Sequence, residues 1–435
     1  MVAGFLPSDR IGTRQNQDRG RKRVKRVVQL GIGLALVAAS AGFGQKAGGQ
    51  AGTSTPSGAR GSNPDQMRKT ALSLEQAGKN AEAEAAWRAF MTAHPNNPEP
   101  YAHLGVLEAR QEHYKEAVVF YRKALTMSPN VPNLRLNLGL ALFKGGELKA
   151  AIPEFTLLLK HAPPDSPEAQ RLDILIGMSH YGLAEYVEAA PYLKQAADRD
   201  PQNLPLRLAL AHSYLWSKQF ELVLDVYREI LTLDPDSAEA DMLAGEALDE
   251  MKDNAGATEM FRNAVKANPK EPNAHFGLGY LLWAQKNYPE AAQEFKEELK
   301  NDPDHVQATV YLADTYIQMN QMDDARLLLE RAVRLDPSLA LIHLDLGIVY
   351  TEANRNQDAL RELTEAAKLA PNDVNVHWRL GRLYRTMGRK VEAKAEFDKA
   401  STLNKAADED LYKKIAAGKT KPPEAQTTTE TPTNR

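Results

Sequence analysis

Apolar side chains recur along most of this chain at helical spacing, and the pattern itself repeats. Within residues 272–305, His275, Leu278, Gly279 and Leu282 fall at i, i+3, i+4 and i+7, while Ala291, Phe295 and Leu299 fall at i, i+4 and i+8. The first set predicts an amphipathic helix begun at Pro272, whose fixed φ suits a first turn. Asn287 interrupts the pattern, a second helix is predicted from about Pro289, and Pro303 stops it through its missing N–H and ring clash. Prolines mark the same point again and again: Pro95, Pro129, Pro163, Pro201, Pro235, Pro269, Pro303, Pro337 and Pro371 lie 34 residues apart, except for 38 between Pro163 and Pro201. The four extra residues fit most naturally near 163–169, where Pro163, Pro164 and Pro167 cluster. A tenth unit in the same register would end at Lys405.

Three further positions keep this register. Twenty-four residues before each mark stands a small residue: Ala71, Gly105, Gly139, Gly177, Ala211, Gly245, Gly279, Ala313, Gly347 and Gly381. Twelve before it, Ala recurs in every unit but the fifth, which has Val223. Eight before it comes a bulky apolar side chain: Trp87, Tyr121, Phe155, Leu193, Tyr227, Phe261, Phe295, Leu329, Leu363 and Phe397. One small residue per helix lets two backbones approach, and the bulky one fills the space beside them. A lone hairpin of this kind cannot hide its apolar face, whereas stacked neighbours can.

The pattern closely resembles the tetratricopeptide repeat (TPR), a helix–turn–helix with set places for L-G, Y, A, F and P. Residues 98–131 carry Tyr101, Leu104-Gly105, Ala117, Tyr121, Ala124 and Pro129 in those places. The resemblance covers residues 64–407 as ten repeats. It implies an all-α, right-handed α-solenoid whose first helices line a concave groove that receives a partner segment. The first unit, with Thr70-Ala71 for Leu-Gly, and the last, without its Pro, fit atypical terminal caps. The Lys and Asn pairs that clamp a C-terminal carboxylate in some members of the family are missing from three successive first helices, which argues against that role.

The ends of the chain differ in character. Residues 1–26 hold eight basic residues, Arg10, Arg14, Arg19, Arg21, Lys22, Arg23, Lys25 and Arg26, and an uncharged apolar run, Val27–Ala41, closes on Ala39-Ser40-Ala41. Fifteen residues fall short of the roughly 20 needed to span a bilayer, so residues 1–41 read as a secretory signal peptide, with an uncleaved anchor as the alternative. Residues 42–63 read as a flexible Gly/Ser/Thr tether, 408–417 as a C-terminal capping helix and 418–435 as a disordered tail.

Composition narrows the chemistry. The 435 residues include no Cys, which removes disulfides, thiolate metal sites and cysteine nucleophiles, and the net charge of −3 gives no sign of a nucleic-acid partner. The segment Gly418-Lys419-Thr420 lacks the upstream Gly and the preceding strand of a phosphate loop. His275, His343 and His377 share one repeat position and read as packing residues. No catalytic, cofactor or metal residue is expected, and too few residues lie outside the repeats for a catalytic domain.

The expected function is therefore a non-enzymatic protein–protein interaction scaffold exported to the bacterial cell envelope, periplasmic or secreted, or anchored in the inner membrane if the first segment stays uncleaved. Bacterial origin is inferred from the Ala-rich leader and the lack of Cys. The expected partner-binding patch is His212 and Trp216, then Glu246, Asp249 and Glu250, then Phe276, Tyr280 and Trp283, then Asp314, a surface suited to a basic or aromatic segment. The competing reading packs the aromatics between adjacent first helices and leaves the acids solvated. Asn375, Arg379, Arg382 and Arg385 form a smaller basic ridge that would suit an acidic partner. Two other functions are carried: an assembly or structural factor of an envelope export or polysaccharide machine, using convex and end surfaces, and glycan binding through the aromatics.

Overall fold

The computed structural model describes residues 63–130 and 132–418. The expected signal peptide (1–41), the tether (42–63, save Asn63) and the tail (418–435, save Gly418) lie outside the described residues. The chain divides into two units after Asp253. The first contains α1 (Pro64–Gln76), α2 (Asn80–Ala93), α3 (Pro98–Arg110), α4 (Tyr114–Met127), α5 (Pro132–Lys144), α6 (Leu148–Leu159), α7 (Pro167–Gly182), α8 (Tyr186–Arg199), α9 (Leu204–Trp216), α10 (Phe220–Leu233) and α11 (Ala238–Glu250). The second contains α12 (Asn254–Ala267), α13 (Ala274–Ala284), α14 (Tyr288–Asn301), α15 (Val306–Gln318), α16 (Met322–Leu335), α17 (Ala340–Glu352), α18 (Asn356–Leu369), α19 (Val374–Thr386) and α20 (Lys390–Gly418). The described residues form an all-α solenoid of paired helices, and no strand occurs among them.

Local chemistry sets the helix ends. The side chains of Asn63, Asn97, Ser166, Asn203 and Asp373 each accept a backbone N–H of the helix that follows, satisfying a donor that has no intrahelical partner. Every first helix then closes on one residue in the left-handed region: Gly78, Glu112, Gly146, Ala184, Lys218, Lys252, Lys286, Asn320, Asn354 or Gly388. Its successor donates back to the last turn, as His113 N–H does to Glu108 O at 2.9 Å and Arg389 N–H to Tyr384 O at 2.8 Å.

The core repeats with the sequence. A Cβ on Gly139 would lie 2.5 Å from Phe155 Cε1, one on Gly105 2.6 Å from Tyr121 Cε1, and one on Gly279 2.8 Å from Phe295 Cε1. The small residue and the bulky residue sixteen positions later are thus two halves of one packing contact. Four residues before the small one, a polar side chain bolts the first helix down in several repeats. His343 contacts Glu362 Oε2 through Nδ1 and the Pro337 carbonyl through Nε2, at 2.8 and 3.0 Å, and His377 treats Glu396 and Pro371 alike, at 2.6 and 2.9 Å. His275 meets Glu294 at 2.6 Å. Arg135 and Arg207 reach Pro129 and Pro201 together with Glu154 and Glu229. The marker proline thus ends a helix and also presents its carbonyl to the next one.

Three boundaries differ from the sequence reading. Helix α13 begins at Ala274 rather than Pro272, because Asn273 is left-handed and the buried Glu298 accepts the backbone N–H groups of Asn273 and Phe276, at 3.0 and 3.1 Å. The four-residue insertion is not confined to the loop: α7 has 16 residues where α3 and α5 have 13, so it starts about one turn early. Arg199 ties that region together, donating to buried Asp173 at 2.6 Å and to Asp165 at 3.0 Å. Residues 408–417 are no separate capping helix; they continue α20, which runs unbroken for 29 residues.

Candidate functional site

Where helices two apart in the chain pack closely, both are first helices: α3 with α5, α9 with α11, α13 with α15, α15 with α17 and α17 with α19. First helices therefore share a face within each unit. The polar and aromatic side chains they present there are the candidate surface.

In the second unit the centre of this face is Tyr311. Its ring meets Tyr280 and Trp283 edge-on, with centroids 5.4 and 5.2 Å away, and Tyr280 stacks on Trp283 at 6.0 Å. Trp283 Nε1–H donates to Asp314 Oδ2 at 2.6 Å, and Gln318 reaches Oδ1 at 3.4 Å. Trp283, Tyr311 and Asp314 remain half-buried. Phe276 is different: it is wedged among Phe295, His305 and Tyr311 and acts as packing.

Asp345, from the next first helix, completes the group. It is only 3% exposed, and its Oδ2 has no hydrogen-bond partner. Burial first, and then the charge of Asp314, push its carboxyl well above the ordinary carboxylate range, while Arg379 pulls the other way. Asp314 is raised by burial against the bonds from Trp283 and Gln318. Tyr311 is raised by burial and by the neighbouring Tyr280, Asp314 and Asp345. Two carboxyl groups and three aromatic rings thus converge in a poorly hydrated place, a setting that favours a cation or a hydrogen-bond donor.

In the first unit, His212 and Trp216 come together, with Trp216 Nε1–H donating to His212 Nε2 at 3.2 Å. Tyr181 and Tyr186 join them: Tyr186 stacks on Trp216 at 6.1 Å and meets His212 edge-on at 5.7 Å, and Tyr181 meets His212 at 5.4 Å. Glu246, Asp249 and Glu250 lie half-buried on α11, which packs against α9. Burial raises Asp249, with Glu250 adding to the shift and Lys252 opposing it. The nine patch residues are thus divided, five in the first unit and four in the second.

Asn375, Arg379, Arg382 and Arg385 all stand on α19. Arg379 is half-buried and the other three are exposed. Burial and the neighbouring charge of Arg382 lower Arg379. Among the described residues no group of three His, Asp or Glu side chains could hold a metal ion.

Tyr311, Asp345, Tyr181 and Tyr186 were missed in the sequence. Tyr311, Asp345 and Arg379 occupy one repeat position, whose occupant 34 residues before Tyr311 is Gly277. Reading that column down the repeats, rather than along one helix, would have found the first two.

Models of the tetratricopeptide repeat match residues 68–132 and 242–306, and others match 108–172, 182–247, 282–344 and 350–417. The chain belongs to the tetratricopeptide repeat family. Among solved structures, this TPR chain is similar to a tetratricopeptide repeat protein from Parabacteroides merdae, with 18% identity over 58% of this chain and 98% of that one and a TM-score of 0.45. It is similar to pilF of Pseudomonas aeruginosa, with 19% identity over 45% and 89% of the two chains and a TM-score of 0.41. It is also similar to yeast Tom70, with 14% identity over 82% and 95% and a TM-score of 0.36. No curated protein sequence is significantly similar to the TPR chain.

Proposed function

We propose that this TPR protein is a non-enzymatic scaffold, exported to the bacterial cell envelope, that holds a basic or aromatic segment of a partner protein along the face of its first helices. One observation carries the reading: the half-exposed group of Trp283, Tyr311 and Asp314, backed by Asp345, whose buried Oδ2 has no hydrogen-bond partner. A guanidinium or ammonium placed there gains ring contact and charge-assisted hydrogen bonds at once, in a place where water competes poorly. The acids Glu246, Asp249 and Glu250 in the first unit carry the same sign of charge. Export rests on the basic leader and the apolar run that ends at Ala41.

In-cell crosslinking followed by mass spectrometry tests the scaffold. Exchanging Tyr280→Ala, Trp283→Ala and Asp314→Asn together should abolish the partner's recovery while far-UV circular dichroism stays the same. Recovery equal to wild type would move binding to another surface. Export is checked by N-terminal sequencing of the cell-envelope fraction, where a mature chain beginning near Gly42 is expected; full-length protein confined to the cytoplasm would refute it.

A further inference from the structure

We propose that the exposed face of α19, in the tenth repeat, is a second docking site, bordering the first where Arg379 nears Asp345, which takes an internal acidic segment of a partner protein with Trp378 as platform and Arg379, Arg382 and Arg385 as cations. Helix α19 contains no Asp or Glu between Val374 and Thr386. On other solvated helix faces of this protein most arginines have a neighbouring acid, as in Arg88–Glu84, Arg228–Asp225, Arg361–Asp358 and Arg389–Glu392, and those without one, such as Arg122 and Arg334, share their helix with no other unpaired arginine. Among the described residues the three arginines of α19 have no ion pair. They lie against rings instead: Arg379 and Arg382 over Trp378 at 5.6 and 4.9 Å, and Arg385 over Phe397 at 5.7 Å. Trp378 is 44% exposed. An ordinary solvated face would intersperse the charges; this one stacks like charges at i, i+3 and i+6, which disfavours the isolated helix.

The spacing suits a peptide. At a helical rise of 1.5 Å per residue the three arginines span about 9 Å, the reach of roughly three residues of extended chain. Two carboxylates on such a stretch can pair with the guanidiniums while an aromatic side chain between them covers Trp378. A nucleic acid fits poorly. Its binders neutralise on the order of 6–10 phosphates, whereas this ridge has three arginines, with the carboxylates of Asp345 and Glu352 close enough on α17 to act on Arg379. The chain's net charge of −3 also opposes a polyanion.

The test is fluorescence anisotropy at low salt, using the full chain and a labelled eight-residue peptide that alternates Glu with Phe and Ser. Both peptide termini are blocked, so that only side-chain carboxylates can bind. The Glu peptide should bind, its Gln version should bind at least about tenfold more weakly, and R382E/R385E should lose about tenfold in affinity with unchanged circular dichroism. W378A should lose about fivefold. Y280A/W283A should leave this binding intact, which separates the proposal from the cation-binding reading above. Absent binding, equal affinity for wild type and R382E/R385E, loss of binding in Y280A/W283A, or tighter binding by a single-stranded oligonucleotide would each overturn it.

Discussion

Asp345 shows what a single residue can cost a repeat protein. Its carboxyl is buried beside Asp314 with one oxygen unpartnered, so folding raises its pKa above the ordinary Asp value and the folded chain holds the proton more tightly than the unfolded one. The sign follows: the group is harmless below the ordinary value of 3.8 and destabilises increasingly as the pH rises above it. Asp345→Asn should therefore stabilise the protein at neutral pH by about 1–3 kcal/mol, a gain that fades below about pH 4; thermal melts at pH 7 and pH 3.5 check it. A stabilisation independent of pH would contradict the account. Arg199 relieves a similar case in part: it pairs with Oδ2 of buried Asp173, whose Oδ1 has no partner and whose carboxyl is still held above the ordinary range by burial. Arg199→Ala should cost about 3–5 kcal/mol in denaturant melts, because an uncompensated charge is left inside, and Asp173→Asn in the same chain should restore part of the loss. Neither residue was legible in sequence. An Asp in a helical pattern reads as solvated, and only neighbours from other helices reveal its burial.

At the scale of the element, the sequence placed the hairpins well, because proline, the small residue and the bulky residue are each dictated by local geometry. Gly139→Ala should cost about 1–3 kcal/mol, since its methyl would lie only 2.5 Å from Phe155 Cε1; an unchanged melting curve would mean that the ring moves freely aside. The left-handed residue that closes each first helix was not foreseen, because only three of the ten are glycine. Replacing Lys218 or Lys286, with φ of 60° and 62°, by Gly should stabilise by about 1 kcal/mol each, as measured by chemical denaturation. Pro153 and Pro191 teach the reverse lesson. Local rules end a helix there, yet α6 and α8 run through them. Packing against neighbouring helices outweighs one lost backbone hydrogen bond.

For the molecule as a whole, stability should be a sum of repeat and nearest-neighbour terms. Excising residues 306–339, one full period comprising α15 and α16, should leave ellipticity per residue unchanged and lower the denaturation midpoint. An unchanged midpoint would mean that hairpins stand alone. The sequence by itself determined the family, the number and phase of the repeats and the core positions, because a 34-residue period imposes the same local packing problem ten times and admits one kind of answer. The tertiary structure decided which polar residues are buried, which aromatics pack and which remain open, and where Tyr311 and Asp345 join Trp283 and Asp314. Those choices depend on contacts between helices tens of residues apart, and periodicity along one helix carries no information about the side chains that face it from the next.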